Sequence, residues 1–395
     1  MQRFVFVSIL LLMPSVCGRS PFLSALKPYL KRHVDLSETF HSLAFTSGNL
    51  LASGIVPILG NFFGNICLTN AFRWIYAILL IGLLSFSSAI GMHLCKILTF
   101  FLLFLGYTSL RCGGQGLLPS FVKSYSAFLY NDQQCAWLSA WHYTVHLFAG
   151  LFLYILSACH AFAYWNWILW GQIGILLLYI VWTPRHLPKI PSVQIHSLSA
   201  LIHSFGKFPF AFILGMSLIA WQNFHATGIL FHLSNFAQEQ SVPLEKIFKI
   251  FFPISILTFL FTPISSWLYT RIRFCWMFFM LMGTVALING FLLFLKNDFC
   301  IGCFIAVIAT SWALNHLLSY TLVARILPQV QYSIGYATLA GLVSFGSAIG
   351  PFVYSCFSNV LGGYKSVGTM MLWINLAILL WSWWLCKYSK NFSSV

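Results

Sequence analysis

A permanent cation and four glycines interrupt an otherwise apolar run at 105–118, Leu-Gly-Tyr-Thr-Ser-Leu-Arg-Cys-Gly-Gly-Gln-Gly-Leu-Leu. A guanidinium near the middle of a bilayer costs roughly 2.5 to 3.5 kcal/mol even on a lenient insertion scale, so Arg111 is expected to face a protein interior or a watery cavity rather than lipid. Wound as a helix, Tyr107, Arg111 and Gln115 recur every fourth residue and share one face. Gly106, Gly113, Gly114 and Gly116 thin the helix so that neighbours can approach closely. The chemistry this pattern supports is a two-pronged grip on an anionic group, with Gln115 one turn away as an amide donor or acceptor. The competing reading places Arg111 at a membrane boundary, snorkelling to water, with the glycines serving packing alone.

The other large polar residues are unevenly shared among the apolar runs of the chain. Arg19 lies in the first run, Gln222, Asn223, His225 and His232 in the seventh, and Asn315 and His316 beside Trp312 in the tenth. The fifth adds His142 and His146 one turn apart. Trp221, His225 and His232 fall on one helical face, as do Trp312, His316 and Ser319. A single intramembrane histidine is more often an interhelical hydrogen-bonding residue than a site, so the argument rests on the recurrence of polar residues in every third run. Arg19 reads equally well as a helix-end residue, with Lys27, Lys31, Arg32 and His33 following it. The spacing Cys300-Ile-Gly-Cys303 has no second pair or nearby histidines to complete a metal site, and no cofactor, metal or catalytic constellation is expected.

Composition decides the class of the elements that hold these residues. The chain has 395 residues, 59% hydrophobic and 7% charged, with mean hydropathy +0.86. A soluble domain carries about a quarter charged residues, so this is a polytopic membrane protein. The net charge of +15 comes from 21 Lys and Arg against 6 acids. The basic residues are scattered through connecting loops, which is topology patterning and not a nucleic-acid footprint. The 11 cysteines are an odd number spread over apolar runs, which excludes a full disulfide framework, and most should be small buried hydrophobes.

About twelve runs of spanning length are legible: 4–27, 40–63, 74–94, 97–118, 137–156, 161–182, 208–233, 247–269, 274–295, 299–322, 336–361 and 370–385. The first also fits a cleavable leader, with Arg3 as its basic end; it is kept as a span because removal would leave an odd count. Between the sixth and seventh runs, 183–207 carries Arg185, Lys189 and Lys207, three prolines and no acid. It reads as a cytoplasmic hinge between a bundle at 1–182 and a bundle at 208–395, with both termini in the cytoplasm.

This plan resembles the major facilitator superfamily, and the arrangement Arg111-Cys-Gly-Gly-Gln-Gly-Leu is similar to the fourth-helix pattern of its oxalate/formate antiporter and monocarboxylate porter branch. Thr227-Gly-Ile-Leu-Phe-His232 and Gly341-Leu-Val-Ser-Phe-Gly-Ser-Ala-Ile-Gly-Pro351 also look similar to that branch. The resemblance implies an all-α membrane protein of two pseudo-symmetric six-helix bundles. It implies a secondary transporter whose first, fourth, seventh and tenth helices line a cavity for a small organic anion. The expected substrate-binding set is Arg111, Gln115, Arg19, Tyr107, Gln222, His225, His232, Trp312, Asn315, His316, His142 and His146. The expected partners are a small-molecule substrate and the lipid of a plasma membrane or bacterial inner membrane, the expected state a monomer. Departures are visible: the loop at Gly60-Asn-Phe-Phe-Gly-Asn-Ile-Cys lacks the superfamily's charges, and Ser266-Trp-Leu-Tyr-Thr-Arg-Ile-Arg273 keeps Arg271 without the acid. The eighth and eleventh runs also lack the branch's basic residues. Phe45-Thr-Ser-Gly-Asn-Leu-Leu-Ala-Ser-Gly54 looks like facilitators of neutral or zwitterionic solutes such as amino acids or nucleobases, which is the alternative reading. An acyltransferase using His316 with Asn315 is a remoter one, lacking a surrounding nucleophile or metal.

The basic, acid-free segment 183–207 makes orientation testable. A cysteine replacing Ser197 in a cysteine-depleted background should react with impermeant maleimide only from the cytoplasmic side; labelling of intact cells from outside would reverse the topology.

Overall fold

The structure, a computed structural model, describes residues 2–18, 23, 30, 33–36, 38–92, 95–143, 145, 165–183 and 206–388. Among them every regular element is helical. Helix α1 (Gln2–Leu12) tightens into a 3-10 segment, Met13–Gly18. Then come α2 (Glu38–Gly64), α3 (Leu68–Gly91), α4 (Lys96–Leu110), α5 (Leu118–Leu129), α6 (Asp132–His142) and α7 (Trp165–Trp182). The remainder holds α8 (Phe210–Phe231), α9 (Leu233–Glu239), α10 (Leu244–Tyr269), α11 (Phe274–Leu292), α12 (Asp298–Ile326), α13 (Tyr332–Leu361) and α14 (Tyr364–Tyr388).

Helix is what such apolar runs must form, because hydrocarbon offers no partner for an unpaired backbone N–H or C=O. Among the described residues seven helical stretches are long and apolar enough to cross a membrane, and Val7–Gly18, Trp167–Trp182 and Ile256–Tyr269 are shorter apolar helices. The fourth expected run does not stop at Leu118. It continues to Leu129 as a 34-residue rod, since past Leu118 the helix still buries Phe121, Val122, Ser124 and Ala127. The exterior is apolar: Trp167 and Val181 on α7 are each 76% exposed, and Leu380 on α14 is 68% exposed. Such a surface is at rest only against lipid.

The chain divides into two compact units. The first takes Met1–Leu129, Phe148–Lys207 and Pro328–Ser344; the second takes Tyr130–Leu147, Phe208–Leu327 and Phe345–Val395. In the first, Tyr76 of α3 donates its hydroxyl to the Leu11 carbonyl of α1 at 3.1 Å, and Ser120 of α5 donates to the Tyr336 carbonyl at the start of α13 at 3.2 Å. Among its described glycines the closest backbone approach is at Gly18, where a Cβ would fall 2.0 Å from the Leu110 carbonyl oxygen and 2.7 Å from Cα of Gly114.

The second unit repeats this device where α8 crosses α13. A Cβ on Gly350 would meet the Phe224 carbonyl at 2.2 Å, and one on Gly346 the Ala220 carbonyl at 2.5 Å. Below that crossing, Ile229, Leu233, Phe236, Ile288, Leu292, Phe304, Tyr354 and Val367 form one apolar cluster. Glu239 at the end of α9 caps α14, its carboxylate accepting from the backbone N–H of Tyr364 at 2.6 Å and Lys365 at 2.8 Å. An anion at a helix N-terminus satisfies donors that have no intrahelical partner.

Gly18→Ala should therefore lower the thermal stability of the purified protein by about 1 to 3 kcal/mol through overpacking against backbone. Gly54→Ala, where a Cβ would meet nothing within 4 Å, should leave it unchanged. Equal melting temperatures for both variants would refute the close-packing account.

Candidate functional site

Between α4 and α5 the rod does not remain an α-helix. Arg111–Leu117 widens into a π-helical turn, with the N–H of Leu118 donating to the carbonyl of Gly113, five residues back. The local sequence accounts for the widening. Pro119 has no N–H to give to the Gln115 carbonyl, and a proline ring crowds the carbonyl four residues before it. The glycines of the turn meet three different neighbours: Gly113 faces Leu79 of α3, Gly114 faces Gly18, and Gly116 faces Val56 of α2. The turn is thus clasped on several sides.

Arg111 is 1% exposed. Its Nε donates to Oδ1 of Asn49 on α2 at 2.8 Å, and its Nη1 donates to Oε1 of Gln115 within the same turn. Both acceptors are neutral amide oxygens, and these bonds orient the guanidinium. One turn earlier Tyr107, also buried, packs edge-on between Phe45, at 5.2 Å between ring centroids, and Phe86, at 5.0 Å. Phe45 and Asn49 are four residues apart on α2, as Tyr107 and Arg111 are on the facing rod, so the two helices meet rung to rung.

Asn49 matters for a second reason. Arginine has only donors, so its neighbour must turn the amide oxygen toward it and leave the NH2 group on the other side. That Nδ2 is buried and has no hydrogen-bond partner among the described residues. A guanidinium and an unsatisfied amide donor therefore share one buried locus, a combination suited to oxygen acceptors. Asn49 lay inside the quoted stretch Phe45–Gly54 but was not among the expected site residues.

In the second unit most of the expected residues are tied to helices that sequence spacing does not reveal. Asn315 of α12 donates to Oε1 of Gln222 on α8 at 2.6 Å and to the Ile219 carbonyl at 3.1 Å, and Gln222 donates to Ser311 at 3.0 Å. The face Trp221, His225, His232 engages α13 and α14. Trp221 donates to Asn375 at 2.8 Å, His225 Nδ1 lies 2.7 Å from the Tyr354 hydroxyl, and His232 Nε2 donates to the Pro351 carbonyl at 2.8 Å. Trp312 is half-buried against the apolar cluster. The rings of His142 and His316 both pack against that of Tyr320, at 5.4 and 5.2 Å between centroids. Arg19, His146 and the segment 184–205 fall outside the described residues.

An ion pair appears where none was expected. Asp132, at the start of α6, lies 3.2 Å from Arg325, near the end of α12, and Tyr269 at the end of α10 donates to the same carboxylate oxygen at 3.0 Å. Arg325 also stacks over Phe274 at 5.2 Å.

Taken together, the helical rods and the chain-long match below give the protein the major facilitator fold. Among solved structures it is similar to the human organic anion transporter MFSD10 (TETRAN), with a TM-score of 0.73 and 15% identity over 96% of this chain and 99% of that chain. A bacterial homologue of the iron transporter ferroportin in an outward-facing state gives 0.71 and 14% over 96% and 97%. The E. coli fucose:proton symporter FucP gives 0.69 and 13% over 97% and 98%. No family model and no curated protein matches the sequence.

The Arg111–Asn49 bond is open to a direct test. Asn49→Leu should destabilise the protein by about 1.5 to 3 kcal/mol, the usual worth of a buried hydrogen bond to a charged group. Asn49→Asp should restore or exceed wild-type thermal stability, because it places a carboxylate against the guanidinium. An Asn49→Leu variant as stable as wild type would show that the bond does not hold the site together.

Proposed function

We propose that this protein is a secondary transporter for a small organic anion, bearing a carboxylate or phosphate, which it moves by alternating access. In this reading 1–182 and 208–395 are two halves that rock about a site near the bilayer midplane, joined by the cytoplasmic hinge 183–207. It acts as a monomer with both termini in the cytoplasm of a plasma membrane or bacterial inner membrane. The observation that supports the proposal is the buried Arg111 guanidinium bonded to Oδ1 of Asn49, an amide whose Nδ2 is buried and unsatisfied among the described residues. A buried donor left unpaired costs about 1 to 3 kcal/mol. An anionic oxygen arriving at Arg111 accepts from Asn49 as well, so part of the binding energy is relief of that cost. Gln115 orients the fork from within the π turn, and Tyr107 supports it from below. The fold-neighbour described as an organic anion transporter is consistent with this chemistry.

A neutral or zwitterionic solute is the second reading, favoured by the amide-rich setting of Arg111, whose two named partners are Asn49 and Gln115. The two readings separate on mutation. In proteoliposomes offered a panel of labelled mono- and dicarboxylates and sugar phosphates, Arg111→Ala should abolish saturable anion uptake while yield stays near normal. Arg111→Lys should keep the charge but lose the two-pronged geometry and most of the rate. Gln115→Ala should raise the apparent substrate constant about two- to tenfold, the loss of one hydrogen bond worth about 0.5 to 1.5 kcal/mol. Wild-type anion transport by Arg111→Ala would leave the residue a scaffold and favour the neutral-solute reading.

A further inference from the structure

One end of the second unit gathers cations among exposed indoles. Asp132 on α6, Tyr269 on α10 and Arg325 on α12 meet there, and Arg325 reaches Phe274, the first residue of α11. Helix α14 arrives at the same end. It runs antiparallel to α11: a Cβ on Gly368 would lie 3.1 Å from Leu293, and one on Gly283 would lie 3.9 Å from Leu379. That register sets Lys387 level with the first turn of α11, on a neighbouring helix whose axis is roughly 8 to 10 Å away. Arg271 and Arg273 stand in the short link between α10 and α11, and all three basic residues are exposed. We propose that this rim binds the headgroup of an anionic phospholipid. The partner is the surrounding membrane, whatever solute the protein carries.

Two of the cations are held at the depth of the indoles. The Arg271 guanidinium lies over the Trp267 ring at 5.8 Å, and the Lys387 ammonium over the Trp383 ring at 5.0 Å. Trp267, Trp383 and Trp384 are 50%, 40% and 53% exposed, and an exposed tryptophan near a helix end rests at the headgroup level of a bilayer. A guanidinium stacked on an indole keeps its N–H donors in its own plane, the geometry that grips a phosphate with two prongs. Charge complementarity gives the sign of the partner. Of the acids in the second unit, Glu239, Glu245 and Asp298 lie at the opposite helix ends, and Asp132 is paired with Arg325. The first turn of α11 has no acidic residue, so the positive end of that helix adds to the three cations. A zwitterionic headgroup brings as much positive charge as negative, whereas an anionic one neutralises part of the rim. A soluble anion would meet the cations alone, while a lipid also covers the indoles with its glycerol and upper acyl chain. In the orientation proposed above this end meets the cytoplasmic leaflet, where anionic lipids give the surface its negative potential.

Native mass spectrometry of the detergent-purified full chain, titrated with phosphatidylglycerol or with phosphatidylcholine of the same acyl chains, reads the preference directly. Each basic residue near an anionic surface contributes about fivefold, so wild type should bind its first phosphatidylglycerol at least tenfold more tightly than phosphatidylcholine. The triple variant Arg271→Gln, Arg273→Gln, Lys387→Gln should lose that preference with its affinity for phosphatidylcholine unchanged. Lys296→Gln combined with Lys365→Gln, which removes two exposed cations at the opposite end, should keep it. Trp383→Leu should cut phosphatidylglycerol binding about two- to fivefold, the worth of one exposed cation–π contact. Should the triple variant not accumulate, the three single replacements are read in the same way, each with an expected loss of about fivefold. No preference in wild type, a triple variant that keeps it, or a control pair that loses it would overturn the proposal. So would displacement of the bound lipid by millimolar inorganic phosphate, which marks a site for soluble anions. The readout involves no transported solute, so its failure and that of the organic-anion reading are distinct.

Discussion

A guanidinium cannot shed its charge and offers only donors, so burying one dictates the orientation of every polar neighbour. Arg111 is the largest of the fully buried side chains, and its setting follows from that rule. Asn49 has to present its oxygen, which turns its NH2 group away. Gln115 has to reach back along its own helix, which the π-helical turn accommodates. Because that turn is wider than an α-helix, its neighbours fit only where side chains are missing, at Gly113, Gly114 and Gly116. The cation, the winding and the glycines form one constraint.

Between helices in lipid there is little hydrophobic driving force, since acyl chains are as apolar as leucine, and association relies on close packing and polar ties. Both are found here. Glycine-to-backbone crossings occur at Gly18 and Gly114 in one unit and at Gly346 and Gly350 in the other. Single side-chain bonds, from Tyr76, Ser120, Ser266 and Trp221, then pin one helix to the next. Such bonds are modest individually, of order 0.6 kcal/mol in membranes, and their value lies in fixing register between smooth apolar cylinders.

The apolar runs were legible because hydropathy alone marks them, and the contact between Arg111 and Gln115 was legible because it is local. What lay beyond reach was long-range pairing. Asn49 is 62 residues from Arg111, and no periodicity links them. Spacing groups Trp221, His225 and His232, yet their partners Asn375, Tyr354 and Pro351 lie more than a hundred residues away. His142 was paired in the sequence with His146 by spacing, whereas its described partner is Tyr320, 178 residues on. The π turn had a local signal in Pro119, but hydropathy does not register winding.

Polar residues inside a membrane protein divide by whether their hydrogen-bonding capacity is closed. Gln222, Asn315 and Ser311 satisfy one another between α8 and α12, and a network that closes on itself has little to offer a ligand. His225 and Asn375 each keep one buried atom without a partner among the described residues, but both border Trp221 within packed rings. A neutral imidazole bears an open acceptor cheaply. Asn375 leaves the same Nδ2 donor open as Asn49, but its oxygen accepts from the neutral indole of Trp221, whereas the oxygen of Asn49 is held by a cation. On the organic-anion reading an anionic oxygen would accept from both groups, whereas a neutral solute would meet the amide alone. Selectivity for charge would then come from an amide side chain that arginine has turned, with no second basic residue required.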